Sequence, residues 1–429
     1  MTTAETRPAA PQRPEPTTPQ RPSRWRRAWT QVVSGSALVS VLAVVAAVIV
    51  GSLMIALTDP DVQAAAGYFF QRPSDTFEAI GAAVGGAYAA LFRGSIYNFN
   101  ASSFAVGIRP LTETLKFATP LIAAGLGVGL AFRAGLFNIG GQGQMLMAAA
   151  AAGYVATAWN LPFPLHMIAA IAAGLVAGAV WAGIAGLLKA RTGAHEVIVT
   201  IMLNHIAAYL LAWMLATQGI LQAPGSNNPK TAPMADSAVL PPILGPMYKL
   251  HLGFLLALVA VAVTWWLLER SSLGFRFRAV GENPAAARTA GISVGRMYFL
   301  VMVIAGALVG LAGVSQVLGT EPKGFGGGID AGIGFDAITV ALLGRSRPLG
   351  ILFAGLLFGA FKTGGFTMQA SQGVPIEIVL VVQSLIVLFI AAPPLVRAMF
   401  GVPQPDRPGR RQRRAAKRAA ASEGKEVAA

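Results

Sequence analysis

Long apolar stretches recur along this chain, and they constrain its fold more than any other feature. They lie near residues 36–57, 112–133, 139–158, 165–188, 196–218, 251–268, 297–318, 334–344, 348–366 and 376–395. A helix crosses the hydrocarbon core of a bilayer with roughly 20 consecutive apolar residues, and it satisfies its own backbone groups there. The pattern therefore predicts an all-α polytopic membrane protein with about ten transmembrane helices. The stretch at 334–344 is too short to cross alone and is expected to be a broken or re-entrant element buried in protein. Composition agrees: 12% of residues are charged and 55% hydrophobic, whereas a soluble domain carries roughly 25% charged residues.

The net charge of +15 could point to nucleic acid, but its placement points to membrane topology. Arg21, Arg24, Arg26 and Arg27 precede the first apolar run, and Arg407, Arg410, Arg411, Arg413, Arg414, Lys417 and Arg418 follow the last. Such clusters beside spans orient the chain and meet anionic lipid head groups. No nucleic-acid-binding motif accompanies them. With the N-terminus inside and each run crossing once, Arg133, Lys189, Arg191, the 269–296 segment, Arg345, Arg347 and both tails are cytoplasmic. Only Arg72, Arg93, Arg109, Lys230, Lys249 and Lys323 are then external. That asymmetry places both termini in the cytoplasm, as expected at a bacterial inner membrane.

Residues 1–35 and 396–429 are basic tails whose composition cannot bury a core, so both are expected to be disordered. The membrane-spanning body covers 36–395, with external segments at 58–111 and 219–250 and a cytoplasmic segment at 269–296. A cleaved leader is the rival reading for the first run, but no small-residue cleavage site follows it. Within 75–92, Phe77, Ile80, Val84, Tyr88 and Leu91 recur at helical spacing behind a D-x-x-E pair, Asp75 and Glu78. This predicts an amphipathic helix lying on the outer membrane face. The chain has no cysteine, and its four histidines (His166, His195, His205 and His251) lack metal-ligand spacing. It also has no Walker-type phosphate loop, so any ATP hydrolysis belongs to another chain. The Gly-rich turn around Gly324–Gly328 reads as a flexible re-entrant loop, and Asp330 and Asp336 lack a catalytic partner.

The cytoplasmic segment carries Asn283-Pro284 followed by an Ala-rich stretch and Gly291, which predicts a short helix started by proline and ended by glycine. It is either a connector or a coupling helix seated in a cytoplasmic ATPase. The residues expected to do this are Gly281, Glu282, Asn283, Pro284, Ala286, Ala287, Arg288, Gly291 and Ile292, with Glu282 and Arg288 at the rim and Ala286, Ala287 and Ile292 packing inward.

The stretch AVGENPAAARTAGI (279–292) resembles the cytoplasmic loop of permeases of the branched-chain amino acid, ribose and nucleoside ABC importers. FRAGLFNIGGQGQMLMAA (132–149), AHEVIVTIMLNHIA (194–207) and GFDAITVALLGRSRPLG (334–350) resemble successive segments of its nucleoside and simple-sugar branch. The likeness runs in order over roughly 110–390. Gln142 stands where the family often has an acid, and His195 and His205 replace an Asn and a Tyr. The resemblance implies two cytoplasmic ATPase subunits carrying ATP and magnesium, a second permease subunit (identical or related), and an external solute-binding protein or lipoprotein. This chain itself would hold no cofactor. Nucleosides are the first solute implied, simple sugars the second and branched-chain amino acids the third.

The residues themselves point to a conduit. Glu196, Thr200 and Asn204 fall at i, i+4 and i+8, one face of one helix. Asn138, Gln142 and Gln144 cluster at the start of another span, Ser315 and Gln316 close a third, and Gln383 lies inside the last. Each could serve instead as interhelical glue. As a set they predict a partly polar path for a neutral hydrophilic solute. An ion-coupled transporter working without an ATPase is the alternative and would need buried ionisable relays. About ten crossings would also permit a 5+5 inverted repeat.

Overall fold

The computed structural model describes residues 36–401; the two tails lie outside them except for 396–401. Among the described residues there is no β-strand, only two isolated bridges in the 216–252 loop. The helices, in order, are α1 (Ser36–Thr58), α2 (Pro60–Ala66), α3 (Pro73–Ser95), α4 (Phe104–Gly107), α5 (Arg109–Arg133), α6 (Gly141–Ala158), α7 (Leu165–Thr192) and α8 (Glu196–Leu215). They continue with α9 (Gly253–Arg270), α10 (Ser272–Glu282), α11 (Pro284–Thr289), α12 (Val294–Ser315), α13 (Ile333–Leu343), α14 (Pro348–Gln372), α15 (Ile376–Ala391) and α16 (Pro393–Met399). Residues 44–391 form one compact unit.

Six of these helices are long and apolar enough to cross a membrane, or seven if α1 and α2, bent by 72°, count as one span. The difference from about ten has a local cause. α6 opens on polar Gln142 and Gln144, α13 has 11 residues, and α15 has 16.

α5 runs through the centre, with 83% of its apolar window buried. Neighbouring helices approach closely because glycines line the contacts. A Cβ on Gly178 of α7 would lie 2.4 Å from the Gly306 carbonyl oxygen of α12, and one on Gly355 of α14 would lie 2.5 Å from Ile122 of α5. Without a hydrophobic drive between helices in lipid, such small-residue contacts supply the packing. The outward faces of α7 and α8 are apolar, including Val176, Val180, Met202, Ile206 and Tyr209.

α3 differs from its prediction. It starts at Pro73, behind Arg72, with no side-chain cap, so Asp75 and Glu78 lie inside the helix and do not cap it. Ala87, Ala90, Val84, Tyr88 and Leu91 pack on Ile55, Met368 and Val379 of α1, α14 and α15. The stripe read as lipid-facing is therefore largely a protein contact, because Gly364 lets α14 approach the Leu91 backbone.

α12 ends in a π-turn, Gln316–Thr320. The 216–252 loop is laced onto this turn and the chain beyond it: Leu240 N–H donates to Leu318 O (2.8 Å), Met234 N–H to Pro322 O (2.8 Å) and Thr231 N–H to Phe325 O (3.0 Å). The short α13 is sheltered in protein as expected, with Gly334, Ala337, Val340 and Ala341 buried.

Candidate functional site

Between α5 and α6 the chain breaks at 134–140, and here two of the predicted polar groups meet. Asn138 and Gln144, both buried, exchange amide hydrogen bonds: Nδ2 of Asn138 donates to Oε1 of Gln144 (3.3 Å), and Nε2 of Gln144 donates to Oδ1 of Asn138 (3.0 Å). That Oδ1 also accepts from Gly140 N–H at 2.9 Å. Asn204 reaches across from α8. Its Oδ1 accepts from Gly143 N–H (2.8 Å) and its Nδ2 donates to Ile139 O (2.9 Å).

The Glu196 carboxylate accepts from Phe137 N–H at 3.4 Å and pairs with Lys189 at 2.8 Å. Thr200 packs beside Gly140 and donates its hydroxyl to Val197 O within its own helix. The i, i+4, i+8 face of α8 thus points at the uncoiled entry to α6. The Asn204 amide and the Glu196 carboxylate satisfy orphan backbone groups there, as buried polar groups require. Only Gln142 is half-buried, in the first turn of α6 against Gly334 of α13.

The remaining predicted residues lie apart. Ser315 donates to Ala312 O in its own helix, and Gln316 Nε2 donates to Ile329 O at 3.3 Å, tying the π-turn to the loop below it. Gln383 is half-buried on α15.

A group the sequence reading overlooked sits on α5, α13 and α14. Lys116 is buried, pairs with Glu113, and holds its ammonium 4.6 Å from the centre of the Phe117 ring. From α14, Lys362 approaches the same ring at 5.9 Å and donates to Ala331 O at 3.4 Å. Its charge also reaches Asp336 of α13. Phe117, Lys362 and Asp336 are half-buried. The signal was present, since a lone lysine in an apolar run is costly and marks function by default. The charge comparison weighed only the connecting segments.

Beside this group, two residues before α9, His251 is 2% exposed and wedged between Gly253 and Gly319. Its Nδ1 accepts from Gly253 N–H at 3.2 Å. Burial, aided by the positive charge of Lys116, lowers its pKa from 6.5 to about 4. The folded chain therefore keeps this imidazole neutral where the unfolded chain would protonate it. Stability is full above the unfolded value and is lost as pH falls from 6.5 towards 4. Between about pH 7 and pH 5 the loss should be about 2 kcal/mol. Thermal unfolding in detergent should show this slope in the native chain and a shallower one in His251→Asn; equal slopes would refute it.

Within the 271–292 segment α11 forms as predicted, and α10, a helix the sequence reading did not anticipate, precedes it. Ser271 caps α10 by accepting from Gly274 N–H (2.9 Å), and Asn283 caps α11 by accepting from Ala286 N–H (3.0 Å). Pro284 occupies the first turn, and Gly291 follows at φ 80°. A Cβ on Gly281 would lie 2.3 Å from Arg133 O, so the segment rests directly on the end of α5.

One expectation is corrected here. Ala287 is buried within its own chain among Leu136, Phe277, Val280 and Met297, and Ile292 packs against that cluster. Glu282, Asn283, Pro284, Ala286, Arg288 and Gly291 are exposed. Ala287 anchors α11, and the outer face is the one carrying Ala286.

Comparison with known proteins adds the context. Residues 111–391 match the family described as branched-chain amino acid transport system / permease component. The chain is 40% identical over 293 residues to the guanosine ABC transporter permease protein NupP of Bacillus subtilis, covering 67% of this chain and 83% of that one. It is 38% identical to the glucose ABC transporter permease protein TsgB13 of Haloferax volcanii, covering 65% and 75%. It is 36% identical to the nucleoside ABC transporter permease protein NupB of Lactococcus lactis, covering 68% and 82%. No solved structure matches.

Proposed function

Because the chain belongs to the branched-chain amino acid transport system / permease component family, we propose that it carries a nucleoside into the cell as a permease subunit of an ATP-binding-cassette importer. It is a multi-pass membrane protein and a transport subunit, not an enzyme. A simple sugar is the second solute reading, favoured by the likeness to a glucose permease. ATP and magnesium belong to cytoplasmic ATPase partners, and an external binding protein or lipoprotein delivers the solute. About ten crossings follow if α6, α13 and α15 traverse alongside the longer helices. Both termini then lie on the ATPase side, a reading supported by the basic residues Arg133, Arg270 and Arg347, where α5, α9 and α14 border the same cleft as α10.

One observation carries the solute path: Lys116, Phe117, Lys362 and Asp336 bring charge and an aromatic face together on membrane helices. Half-buried charges cannot face hydrocarbon, so this face borders water or the second permease subunit. A nucleoside suits it, since its base can lie against an aromatic ring and its ribose hydroxyls can accept and donate hydrogen bonds. The amides of Asn138, Gln144 and Asn204 hold the neighbouring entry to α6 in place, with Gln142 the member nearest the path. Ser315, Gln316 and Gln383 are supporting positions.

Vesicles holding the assembled complex should accumulate labelled guanosine or another nucleoside only when ATP is supplied. Lys362→Leu should lower that uptake about tenfold or more through lost positioning. Uptake of leucine-type amino acids alone would overturn the solute assignment. Unchanged nucleoside uptake in Lys362→Leu would remove this face from the path.

A further inference from the structure

The end of the helical body that carries α10 and α11 also holds a cleft of about 970 Å³. Four arginines line it (Arg133, Arg270, Arg278 and Arg347) against one carboxylate, Glu269. They come from four places in the chain: Arg133 and Arg270 are the last residues of α5 and α9, Arg278 lies on α10, and Arg347 precedes α14. Arg133 is fixed by donating from Nε to Ser346 O at 3.1 Å. Nη1 of Arg278 stands 3.9 Å from the Glu269 carboxylate and, though buried, makes no hydrogen bond. No side chain caps the first turn of α14, so its positive end is open to this region too. Such an excess of cationic donors calls for an anion, and guanidinium groups match the oxygen pairs of a phosphate.

The position decides whose phosphate it is. Three membrane helices end or begin here, at the level of lipid head groups. Trp265 lines the cleft, with its ring 5.9 Å from Arg270, and belongs to the aromatic type that settles at this level. Leu349 at 55%, Phe353 at 67% and Trp265 at 42% exposure offer apolar surface to acyl chains. A free phosphate or an acidic protein surface has no use for that apolar part. We propose that this cleft binds the head-group phosphate of an anionic phospholipid, whose acyl chains lie against Leu349, Phe353 and Trp265.

Arg270 and Arg347 are exposed, so removing their charge leaves the packed body intact. The test is native mass spectrometry of the full-length permease titrated with phosphatidylglycerol or phosphatidylcholine. The native chain should prefer phosphatidylglycerol by about tenfold, the double variant R270Q/R347Q should lose that preference, and R270K/R347K, which keeps the charge without the guanidinium fork, should fall between the two. An undiminished preference in R270Q/R347Q would overturn the proposal. Equal displacement of the lipid by inorganic phosphate at matched concentration would show a free-anion site and overturn it as well. Lipid preference kept while ATPase association is lost would assign the arginines to the ATPase, with the same consequence.

Discussion

Ala286→Asp should uncouple transport while the permease stays folded, whereas Ala287→Asp should destabilise the permease itself. The two residues are neighbours on α11 but differ in surroundings: Ala286 is exposed, and Ala287 is 4% exposed inside the cluster formed with Phe277, Val280 and Met297. An acid at position 286 lies in the first turn of the helix, where its charge suits the positive end, so α11 should persist. On a docking surface it adds bulk and an unpaired charge, and ATP-driven uptake should fall about tenfold or more together with ATPase co-purification. An acid at position 287 buries an uncompensated carboxylate and should cost roughly 3–5 kcal/mol. Thermal unfolding of each variant, read beside ATPase association and uptake, separates the two. If Ala286→Asp keeps both association and uptake, the segment is a connector and the coupling assignment fails.

Asn204→Leu is expected to have the second large effect, and on folding before transport. The sequence alone placed Asn204 on a solute path, because an amide deep in a span reads as part of a conduit. In the structure both ends of this amide are spent on backbone, with Oδ1 on Gly143 N–H and Nδ2 on Ile139 O. Leucine leaves that donor and that acceptor buried without partners, at roughly 1–3 kcal/mol each. The amount of inserted protein and its unfolding temperature should both drop. Normal insertion with lost uptake would instead return Asn204 to the solute path.

Much of the helical framework was legible from the chain itself. Asn283-Pro284 predicted the start of α11 and Gly291 its end, and both hold. α1 ends at Thr58, one residue from the end of the first apolar run, and the short run near 334–344 is a sheltered half-helix. The boundary of α3 was misplaced because Pro73 starts the helix ahead of the polar pair read as its cap.

These successes share a cause. Apolar length, the fixed φ of proline and the left-handed tolerance of glycine act within a few residues, so the sequence alone determined an all-helical, membrane-embedded chain and where many of its helices start and stop. The direction a polar side chain faces depends instead on which helix packs beside it, and only the tertiary structure decided that. Glycines such as Gly178, Gly355 and Gly364 let particular helices close to backbone contact. Those contacts turn Ala287 inward, spend Asn204 on the entry to α6, and bring Lys362 to the ring of Phe117 from the far end of the chain. They also gather four arginines from separate places in the chain into one cleft.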